Sequence, residues 1–376
     1  MKIVVDALPF ITLPTGIGRY VRLLYTHLHK LGVEIFYFVR ELSPQMPSPP
    51  QIESWSKRTD FLWKLPWPVV TFLRTIFWLR FERRFLKALK NKRDVILHEP
   101  ALFPFKTTLP QVLTLHDLTL LLRPQDHPKE RVAFFKLFFS RRLPYANHII
   151  SVSDFTRREA LRHLPLRPEK ISVVPLAVAP NFKPASQEEI RRVLERYRLP
   201  SRYFLFVGTI DPRKNLDLVL KGLARLDTAP PLVIAGWKGW GHESLAKQLN
   251  QLGLKERVFL LDYVSDEDLK ALYSGAQAFF YPSLYEGFGL PVLEAMACGC
   301  PVVTSNVASL PEVAGDAAIL IDPSSEEEMV HAMEAVSDPK YREELIQRGF
   351  RQAQKFSWER TARETLEIFK KVVEQG

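Results

Sequence analysis

Two glutamates stand eight residues apart in the segment YPSLYEGFGLPVLEAMACGCPVV, residues 281–303. Glu286 lies in a glycine-rich turn, and Glu294 lies one turn into the apolar helix that is predicted to follow. A carboxylate that loses water is costly unless it gains a partner. Because a carboxylate accepts paired hydrogen bonds from neighbouring hydroxyls, the two glutamates predict a site for polyols such as a sugar ring and a ribose. Helix capping would explain one of these acids, but not both beside Gly287 and Gly289.

Two cations follow the apolar run FLFVG, which ends at Gly208. In the next segment, TIDPRKN, Asp211 and Pro212 predict a turn, and Arg213 and Lys214 stand where the following helix begins. Cations beside a helix N-terminus suit a diphosphate. A solvated turn is the alternative, and this motif alone leaves both interpretations open.

Short apolar runs of strand length recur along the chain, each followed by a polar turn. In the first half they are KIVVDA, VEIFYFVR, DVILHEP, QVLTLHDL, HIISVSDF and KISVVPLAV. From residue 201 they are RYFLFVGT, PLVIAGW, RVFLLDYV, AQAFFYPS, CPVVTS and AAILIDP. Continuous apolar strands separated by helical segments are typical of a parallel sheet covered on both faces.

The proline-containing segment LAVAPNFKPAS, residues 176–186, separates the two series and is interpreted as a connection between domains. We therefore expect an α/β protein with two doubly wound, Rossmann-like domains facing a central cleft. The expected boundaries are residues 1–180 and 181–357, with a final helix at residues 358–376 packing back on the first domain.

Composition limits the classes of function. The 376 residues are 46% hydrophobic with a mean hydropathy of −0.09, which is typical of a globular rather than a membrane-spanning chain. The opening MKIVVDALPF has too short an apolar run to predict a signal peptide. Cys298 and Cys300 cannot form a disulfide framework, which fits a reducing cytoplasm, and they lack further ligands for zinc.

The net charge of +10 is unevenly distributed. Residues 1–180 hold 28 Lys and Arg against 14 Asp and Glu, whereas residues 181–376 hold 24 against 28. The positive field therefore belongs to the first domain, where nucleic acid, an anionic membrane surface or an acidic substrate could be the partner.

The segment EGFGLPVLEA resembles the Glu-x7-Glu motif of the retaining nucleotide-sugar glycosyltransferases of family 4, which have the GT-B fold. FVGTIDPRKN, LHDLTLL, ISVSDFTRREAL and DYVSDEDLKALY are similar to segments of that family in the same order. The resemblance covers nearly the whole chain. It implies an enzyme whose donor substrate is a nucleotide-diphosphate sugar.

The resemblance assigns a role to each matched residue. It implies that Glu286 binds the hydroxyls of the donor sugar, that Glu294 binds the ribose, and that Arg213 and Lys214 neutralise the departing diphosphate. In several relatives an arginine follows the glycine of the phosphate-binding strand. In this sequence Thr209 occupies that position, so only Arg213 and Lys214 would neutralise the diphosphate. The remaining donor-binding residues implied are Gly208, Thr209, Tyr263, Val264, Gly287, Phe288, Gly289 and Leu290, with the backbone of Tyr263 and Val264 against the base.

The first domain opens with TGIGRYV, residues 15–21, which is close to a dinucleotide-binding glycine motif. Val21 takes the place of the third glycine, so this Rossmann fingerprint fails. The family has a glycine-rich loop here, and the resemblance implies that the amides of Gly16 and Gly18 meet a phosphate or the acceptor. A plain turn is the alternative.

Further candidates follow two other strands of the first domain. His116 and Asp117 end the strand QVLTL, and the resemblance implies that His116 contacts the transferred sugar, steadied by Asp117. His98 and Glu99 end the preceding strand and are candidates for the acceptor side. Ser153 is interpreted as a helix N-cap rather than as a nucleophile.

Asp266 and Asp268 form an Asp-x-Asp pattern that could hold a metal ion. Ser265 before them suits an N-cap, and acids in a first helical turn interact favourably with the helix dipole, so a helix start is favoured. The GT-B relatives need no metal, because side chains and a helix end stabilise the leaving phosphate. We therefore expect neither a metal nor another cofactor.

The segment FLWKLPWPVVTFLRTIFWLRFERRFLKALKNKRD, residues 61–94, mixes aromatic residues with nine Lys or Arg and two acids. Its longest uncharged run has nine residues, against the ~20 that span a bilayer. It predicts either an interfacial helix on anionic lipid or an ordinary domain helix with a basic outer face. In the first case the residues at the membrane are Lys64, Arg74, Arg80, Arg83, Arg84 and Lys87, with Trp67, Phe72, Phe77 and Trp78.

The expected function is transfer of a hexose to a glycan or polyprenyl-linked acceptor in cell-surface polysaccharide synthesis, in the cytoplasm or at the inner face of the cell membrane. The forms TGIGRY and PRKN favour GDP-mannose as the donor. A UDP-sugar-dependent GT-B enzyme is the first alternative. A basic nucleic-acid-binding protein is the second; it explains the charge of the first domain but not the paired glutamates, and no nucleic-acid motif occurs.

Overall fold

The computed structural model describes residues 1–11, 16–48, 65–90, 92, 94–101, 103–236 and 242–375. The chain divides into two compact units. The first joins Met1–Leu176 to Trp358–Gly376, and the second comprises Ala177–Ser357. The division after Leu176 falls at the start of the proline-containing segment.

The first unit is built on a sheet that has seven strands within the described residues, in the order β3-β2-β1-β4-β5-β6-β7. All neighbours pair in parallel except β3, which pairs antiparallel with β2. Each predicted strand is present, whereas β3 has only two residues and leaves no periodicity to recognise. The strands are β1 (Lys2–Asp6), β2 (Glu34–Phe38), β3 (Leu42–Ser43), β4 (Val95–Glu99), β5 (Gln111–Leu115), β6 (His148–Ser151) and β7 (Ile171–Val173).

Within the described residues, five α-helices precede the second unit: α1 (Gly16–Lys30), α2 (Trp67–Leu89), α3 (Thr119–Leu122), α4 (Lys129–Arg142) and α5 (Asp154–His163). The α5 helix begins at Ser153, whose hydroxyl accepts a hydrogen bond from the Thr156 amide at 3.0 Å. The N-cap interpretation of Ser153 is thereby confirmed.

The long helix α2 has one face in the core and one face in solvent. At 100° per residue, Val70, Trp78, Phe81, Phe85 and Leu89 fall on one side, and all five are buried. Trp78 stacks on Phe105 with 5.6 Å between ring centroids, so its expected place at a membrane interface is wrong.

A buried ion pair ties α2 to α4, because Glu82 accepts two hydrogen bonds from Arg142 at 2.6 and 2.8 Å. Among the described residues, no helix combines the length and apolar character needed to cross a bilayer. Lys64 lies outside the described residues.

The second unit has a parallel sheet in the order β10-β9-β8-β11-β12-β13, again within the described residues. Every strand predicted in this half is present. The strands are β8 (Phe204–Val207), β9 (Leu232–Ala235), β10 (Val258–Leu261), β11 (Ala278–Tyr281), β12 (Val302–Ser305) and β13 (Ala318–Ile321).

Apolar helix residues cluster with Phe204, Phe206 and Phe280 on one face of this sheet. Leu205 and Phe279 on the other face are also buried, as expected for continuous apolar strands. The helices are α6 (Gln187–Tyr197), α7 (Leu216–Ala224), α8 (His242–Gln251), α9 (Asp266–Gly275), α10 (Leu290–Ala297), α11 (Leu310–Ala314), α12 (Glu326–Ala335) and α13 (Pro339–Ala353).

The last helix, α14 (Trp358–Gln375), returns to the first unit. Its buried face includes Trp358 and Phe369, whose rings lie 6.3 Å from Tyr20 and 5.1 Å from His98 between centroids. A hydrogen bond of 2.7 Å from the Thr361 hydroxyl to the Pro175 carbonyl anchors its first turn.

Candidate active site

The strand order of the second unit reverses between β8 and β11. From this neighbouring pair, β9 and β10 continue to one side, and β12 and β13 continue to the other. In doubly wound sheets, ligands bind beyond the carboxyl ends of the strands at such a reversal. Arg213 and Lys214 follow β8, and Glu286 follows β11, so the topology brings the three predicted residues to the same place.

Two glycines at strand ends allow the backbone to pack closely here. Gly208 follows β8 with a φ of 151°, and Gly236 follows β9 with a φ of 149°. A Cβ atom on Gly236 would lie 2.1 Å from the Gly208 carbonyl oxygen, so no side chain fits. Gly236 is absent from the predicted site residues, although its place after PLVIA matches that of Gly208 after FLFV.

Asp211 organises the turn that carries the two cations. Its side chain accepts a hydrogen bond of 3.3 Å from the Lys214 amide at the head of the 3-10 turn Pro212–Lys214. The Lys214 side chain turns inward, and the residue is 8% exposed. A solvated turn therefore does not describe Lys214.

Both cations reach the same carboxylate oxygen. Lys214 Nζ donates a hydrogen bond to Glu286 Oε1 at 2.6 Å, and Arg213 Nη1 lies 2.9 Å from that atom. The Arg213 guanidinium also donates to the Tyr285 carbonyl at 2.8 Å, which connects the turn after β8 with the loop after β11.

Tyr281 is a further member of this cluster that the sequence reasoning missed. Its hydroxyl donates to Glu286 Oε1 at 3.0 Å and is also hydrogen-bonded to Lys214 Nζ. Lys214 Nζ lies 4.7 Å from the centroid of the Tyr281 ring. The available signal was its position as the last residue of an apolar strand that precedes a predicted site loop.

The electrostatics of the cluster favour ionised Glu286. Burial raises the pKa of Glu286, but the charges of Arg213 and Lys214 outweigh burial and lower this pKa to about 2. Burial lowers the pKa of Lys214, and the charge of Glu286 opposes that change. Burial raises the pKa of Asp211 against the charges of Arg213 and Lys214. The cluster thus holds two carboxylates and two cationic side chains that pair with each other. A ligand can replace these internal ion pairs, with its anionic group on the cations and its hydroxyl groups on the carboxylates.

Ser309 supports the loop that carries Glu286. Its hydroxyl lies within hydrogen-bonding distance of the carbonyl oxygens of Glu286 and Phe288, at 2.9 and 2.8 Å. The Phe288 ring packs against Phe356 at 5.8 Å between centroids. The buried Gly287 lies between Glu286 and Phe288.

The following helix matches its predicted form with a shift of one residue. Gly289 has a φ of 110° and caps α10, so Leu290 is the first helical residue and Pro291 the second, rather than the first as expected. Eight residues give about two turns, and Gly299 follows the end with a φ of 76°, which confirms its predicted capping position.

Glu294 lies inside α10 and is 2% exposed. Its Oε2 accepts a hydrogen bond of 3.4 Å from the Tyr273 hydroxyl. Tyr263 and Val264 lie between β10 and α9, where the Gly236 amide donates to the Asp262 carbonyl at 3.3 Å. Thr209 lies in the turn after Gly208, and its carbonyl accepts from the Asp211 amide at 2.9 Å.

The Asp-x-Asp pattern is part of a helix start. Ser265 caps α9 by accepting a hydrogen bond of 3.2 Å from the Asp268 amide, which confirms that interpretation. The Asp268 carboxylate binds Arg196 at 2.8 and 3.1 Å and the Tyr197 hydroxyl at 2.8 Å. Within the described residues, no group of three or more His, Cys, Asp or Glu side chains is arranged to hold a metal ion.

The two glycines of the first unit lie in a helix rather than in the expected loop. Gly16 is the first described residue of α1, and Gly18 falls in its first turn. The amides of a first helical turn have no acceptor within the helix, and contact of Gly16 and Gly18 with a phosphate or the acceptor stays a prediction. Thr15 lies outside the described residues.

His116 and Asp117 follow β5 as predicted, but the hydrogen bonds of each side chain go to other residues. His116 Nε2 is 2.8 Å from the Pro100 carbonyl oxygen, and Asp117 Oδ1 accepts from the Thr119 amide and hydroxyl at 2.9 and 2.6 Å. Burial lowers the pKa of His116, and the charge of Asp117 opposes this. Asp117 therefore affects the pKa of His116 through its charge, and its hydrogen bonds to Thr119 stabilise the start of α3.

His98 is a core residue, so its expected place on the acceptor side is wrong. It is fully buried, with Nδ1 bonded to the Tyr25 hydroxyl at 2.5 Å and Nε2 bonded to the Thr114 hydroxyl at 2.8 Å. Burial and the nearby His116 lower the pKa of His98 to about 3. Glu99 is also buried, and its Oε1 accepts from the Ala101 amide at 3.0 Å.

Two family models match the two halves of the chain. Residues 186–352 match the model described as Glycosyl transferases group 1, and residues 14–182 match Glycosyltransferase Family 4. The chain is 36% identical to the O-antigen chain mannosyltransferase B of Escherichia coli, over 98% of this chain and all of that protein. The chain belongs to the group 1 glycosyltransferases.

Two further comparisons describe this glycosyltransferase. It is 28% identical to the O-antigen chain mannosyltransferase RfbU of Salmonella typhimurium, over 76% of this chain and 75% of that protein. The solved structure of HepE from Anabaena with UDP-glucose has a TM-score of 0.73 at 16% identity, covering 99% of this chain and all of that one. The fold is therefore GT-B, and the predicted family and enzyme class are confirmed.

Proposed function

We propose that this glycosyltransferase transfers mannose from GDP-mannose, with retention of configuration, to a glycan or polyprenyl-linked acceptor in cell-surface polysaccharide synthesis. The relatives named as O-antigen mannosyltransferases support mannose and this class of product. The observation that carries the proposal is the cluster of Arg213, Lys214 and Glu286 at the reversal point of the second sheet. It offers cations for a diphosphate and an ionised carboxylate for sugar hydroxyls in one place.

The proposed reaction breaks the bond between the mannose C1 and the β-phosphate oxygen and forms a bond from C1 to the acceptor oxygen. Arg213 and Lys214 hold the β-phosphate as negative charge develops on it, and the N-terminus of α10 adds a favourable dipole. The departing phosphate accepts the acceptor proton on the same face of the ring, which preserves the configuration. Glu286 stays ionised throughout, because its pKa of about 2 is far below neutral pH.

The proposed chemistry needs no metal, since two cationic side chains and a helix end receive the leaving charge. We further propose that the enzyme works at the inner face of the cell membrane, attached by the basic and aromatic outer face of α2. Nucleic acid is not a proposed partner.

A panel of nucleotide sugars tests the donor. The purified enzyme should hydrolyse or transfer from GDP-mannose faster than from GDP-fucose, UDP-glucose or UDP-N-acetylglucosamine, and it should do so in EDTA. The anomeric configuration of the product, measured by NMR, tests retention. Preference for a UDP sugar would replace GDP-mannose by the alternative donor, and loss of activity in EDTA with recovery in Mg²⁺ would contradict metal independence. Retarded nucleic acid at physiological salt in a mobility-shift assay would revive the nucleic-acid alternative.

A further inference from the structure

A cavity of about 710 Å³ lies within the first unit, between α2, α4 and the carboxyl end of β5. Its wall is aromatic: the Phe103 ring lies 5.5 Å from Phe134 and 5.9 Å from Phe135 between centroids, and Phe77 closes one side. This volume falls in the ~300–1,000 Å³ range of small-molecule sites.

The cavity is open to an apolar surface. Phe77 is 58% exposed although it contributes to the wall, and Phe72 and Leu73 on the same helix are also exposed. Exposed aromatic residues beside a cavity mark a ligand or membrane contact rather than core packing. Phe77 therefore belongs both to the cavity wall and to the exposed surface of α2.

Two arginines line the same cavity. Arg74 lies on α2 and Arg131 on α4. Burial lowers the pKa of both arginines, and the charge of Arg74 further lowers the pKa of Arg131. The charge of the buried Glu130 opposes these changes, and Asp117 lines the same cavity, so two carboxylates lie near the two arginines.

A second cavity of about 370 Å³ adjoins the first and shares Leu8, Ile11 and Phe77 with it. Arg40, Arg80 and Arg84 line this second cavity. An apolar wall bordered by several guanidinium groups matches an amphiphile with an apolar chain and an anionic head, because arginine binds phosphate through paired hydrogen bonds.

We propose that the larger cavity binds the lipid-phosphate part of the acceptor, with an isoprenoid chain against the phenylalanines and its diphosphate on Arg74 and Arg131. This inference rests on the proposed function and decides between its two acceptor classes in favour of the polyprenyl-linked one. His116 and Asp117 line the same cavity. A sugar attached to the diphosphate can therefore reach His116, for which the family resemblance implies contact with the transferred sugar, while the chain continues along Phe77 towards a bilayer.

Farnesyl diphosphate is a suitable probe, because it combines an isoprenoid chain with a diphosphate. Calorimetry on the full-length enzyme should show binding of farnesyl diphosphate at least about tenfold tighter than binding of farnesol or of inorganic pyrophosphate. Saturating GDP should not displace it. Displacement by GDP would place the probe in the donor site, and equal binding of pyrophosphate would indicate a simple anion site; either result would overturn the proposal.

Two variants test the named residues. Arg74→Gln and Phe77→Ser should each weaken binding of farnesyl diphosphate by about tenfold, since one removes a charge-assisted hydrogen bond and the other removes an apolar contact. Phe77 is largely exposed, so its replacement leaves the fold intact. Arg158→Gln is the matched control, because Arg158 is an exposed arginine of the same unit that pairs with Asp154. Unchanged affinity in both cavity variants, or an equal loss in the control, would overturn the assignment.

The test also separates this inference from the proposed donor chemistry. Lys214→Ala should weaken GDP binding and leave farnesyl diphosphate binding unchanged, whereas Arg74→Gln should do the reverse. If GDP-mannose is not a donor but farnesyl diphosphate binds as described, the donor proposal alone fails. If mannose transfer occurs but farnesyl diphosphate binds nowhere, the lipid-phosphate site alone fails.

Discussion

Lys214 differs from an ordinary turn lysine because its ammonium group lies under the loop that carries Glu286. Lys214→Met keeps the length of the side chain but removes the charge. We expect affinity for GDP to fall about 10- to 100-fold, since a charge-assisted hydrogen bond contributes roughly 1.5–3 kcal/mol. Arg213→Ala should behave alike in calorimetry. Lys221→Ala is the control, because that lysine is half-buried and pairs with Asp217 and Glu326. Unchanged GDP affinity in both site variants would show that the clamp is misassigned.

The two glutamates should have separable effects. Glu286→Gln removes a charge next to the sugar ring and is expected to lower kcat on the order of 10²-fold, because the ring gains positive charge in the transition state. Glu294→Gln should mainly raise the Kd for GDP, by about tenfold, because contacts to a ribose are similar before and during reaction. Steady-state kinetics and calorimetry on both variants check this division. Small and equal effects on kcat and Kd in both variants would refute it.

Asp6 and Glu99 are two buried carboxyl groups at the carboxyl ends of the neighbouring strands β1 and β4. Burial raises the pKa of Asp6 to about 6, although hydrogen bonds to the Leu8 amide and Glu99 oppose this. The folded pKa is above the ordinary value of 3.8, so the folded state binds the proton more tightly. The ionised group therefore destabilises the fold progressively as pH rises from about 4 to 6 and fully above that window.

Asp6→Asn should therefore stabilise the protein at pH 8 by roughly 1–3 kcal/mol and have little effect at pH 4. The amide oxygen of Asn can still accept the 2.9 Å hydrogen bond from the Leu8 amide. Thermal unfolding at the two pH values is the measurement. An equal shift of Tm at both values would mean that packing, rather than the charge, causes the effect.

The sequence was informative about which residues carry the site and less informative about their partners. Glu286, Arg213 and Lys214 could be predicted because their residue types follow apolar strands and stand beside helix starts. Tyr281 and Gly236 were missed, although each stands at the end of an apolar strand, because their roles depend on contacts between strands that are distant in sequence. His98 was misplaced for the same reason, since α14 and α1 cover it from segments far along the chain.

Among the elements, α2 shows what the amino-acid composition of a segment can predict and what it cannot. Its mixture of aromatic and basic residues predicted either a membrane-facing or a core-facing helix, and the structure gives it one apolar face in the core and exposed aromatic residues on the other side. Only a rotation of 100° per residue separates the two faces, which is why Trp78 is buried while Phe77 is exposed. The composition of the segment does not show which of its residues lie on the buried face.

The outer face of α2 leads to a prediction about membranes. Arg80, Arg83 and Arg84 are exposed, and each basic residue near an anionic surface contributes about 1 kcal/mol that salt screens. The enzyme should sediment with phosphatidylglycerol vesicles at low salt and poorly with neutral vesicles. Replacing the three arginines by Glu should abolish sedimentation, whereas Arg158→Glu, Arg162→Glu and Arg191→Glu, on other exposed surfaces, should not. Equal sedimentation with anionic and neutral vesicles would show that α2 is an ordinary domain helix.

The regular elements were predictable because each strand is a continuous apolar run. The two-residue β3 lacks any such pattern, and α1 begins at glycines whose weak helix propensity suggests a loop. Tertiary packing overrides this weak propensity in α1, because Tyr20, Val21 and Leu24 form the buried face of the helix. The one-residue shift at Pro291 arises because Gly289, with its positive φ, takes the capping position.

In the whole molecule, α14 connects residues at opposite ends of the sequence. Phe369→Ala should destabilise the first unit by about 3–5 kcal/mol, because the ring is fully buried against His98. Val373→Ala, on the exposed side of the same helix, should change stability by less than about 0.5 kcal/mol. Chemical denaturation of both variants, with tryptophan fluorescence as the signal, checks the difference. Similar losses in the two variants would mean that α14 contributes helix propensity rather than packing.

Because α14 belongs to the first unit, that unit cannot finish folding when its own strands leave the ribosome. Ala177–Ser357 must be translated in between, which takes roughly 10–40 s at bacterial or eukaryotic elongation rates. During this interval the apolar surface that later receives Trp358 and Phe369 is open to water and to chaperones that bind nascent chains. A circular permutant that places α14 directly before β1 would close this surface early, and its yield without chaperones should be higher than that of the natural order.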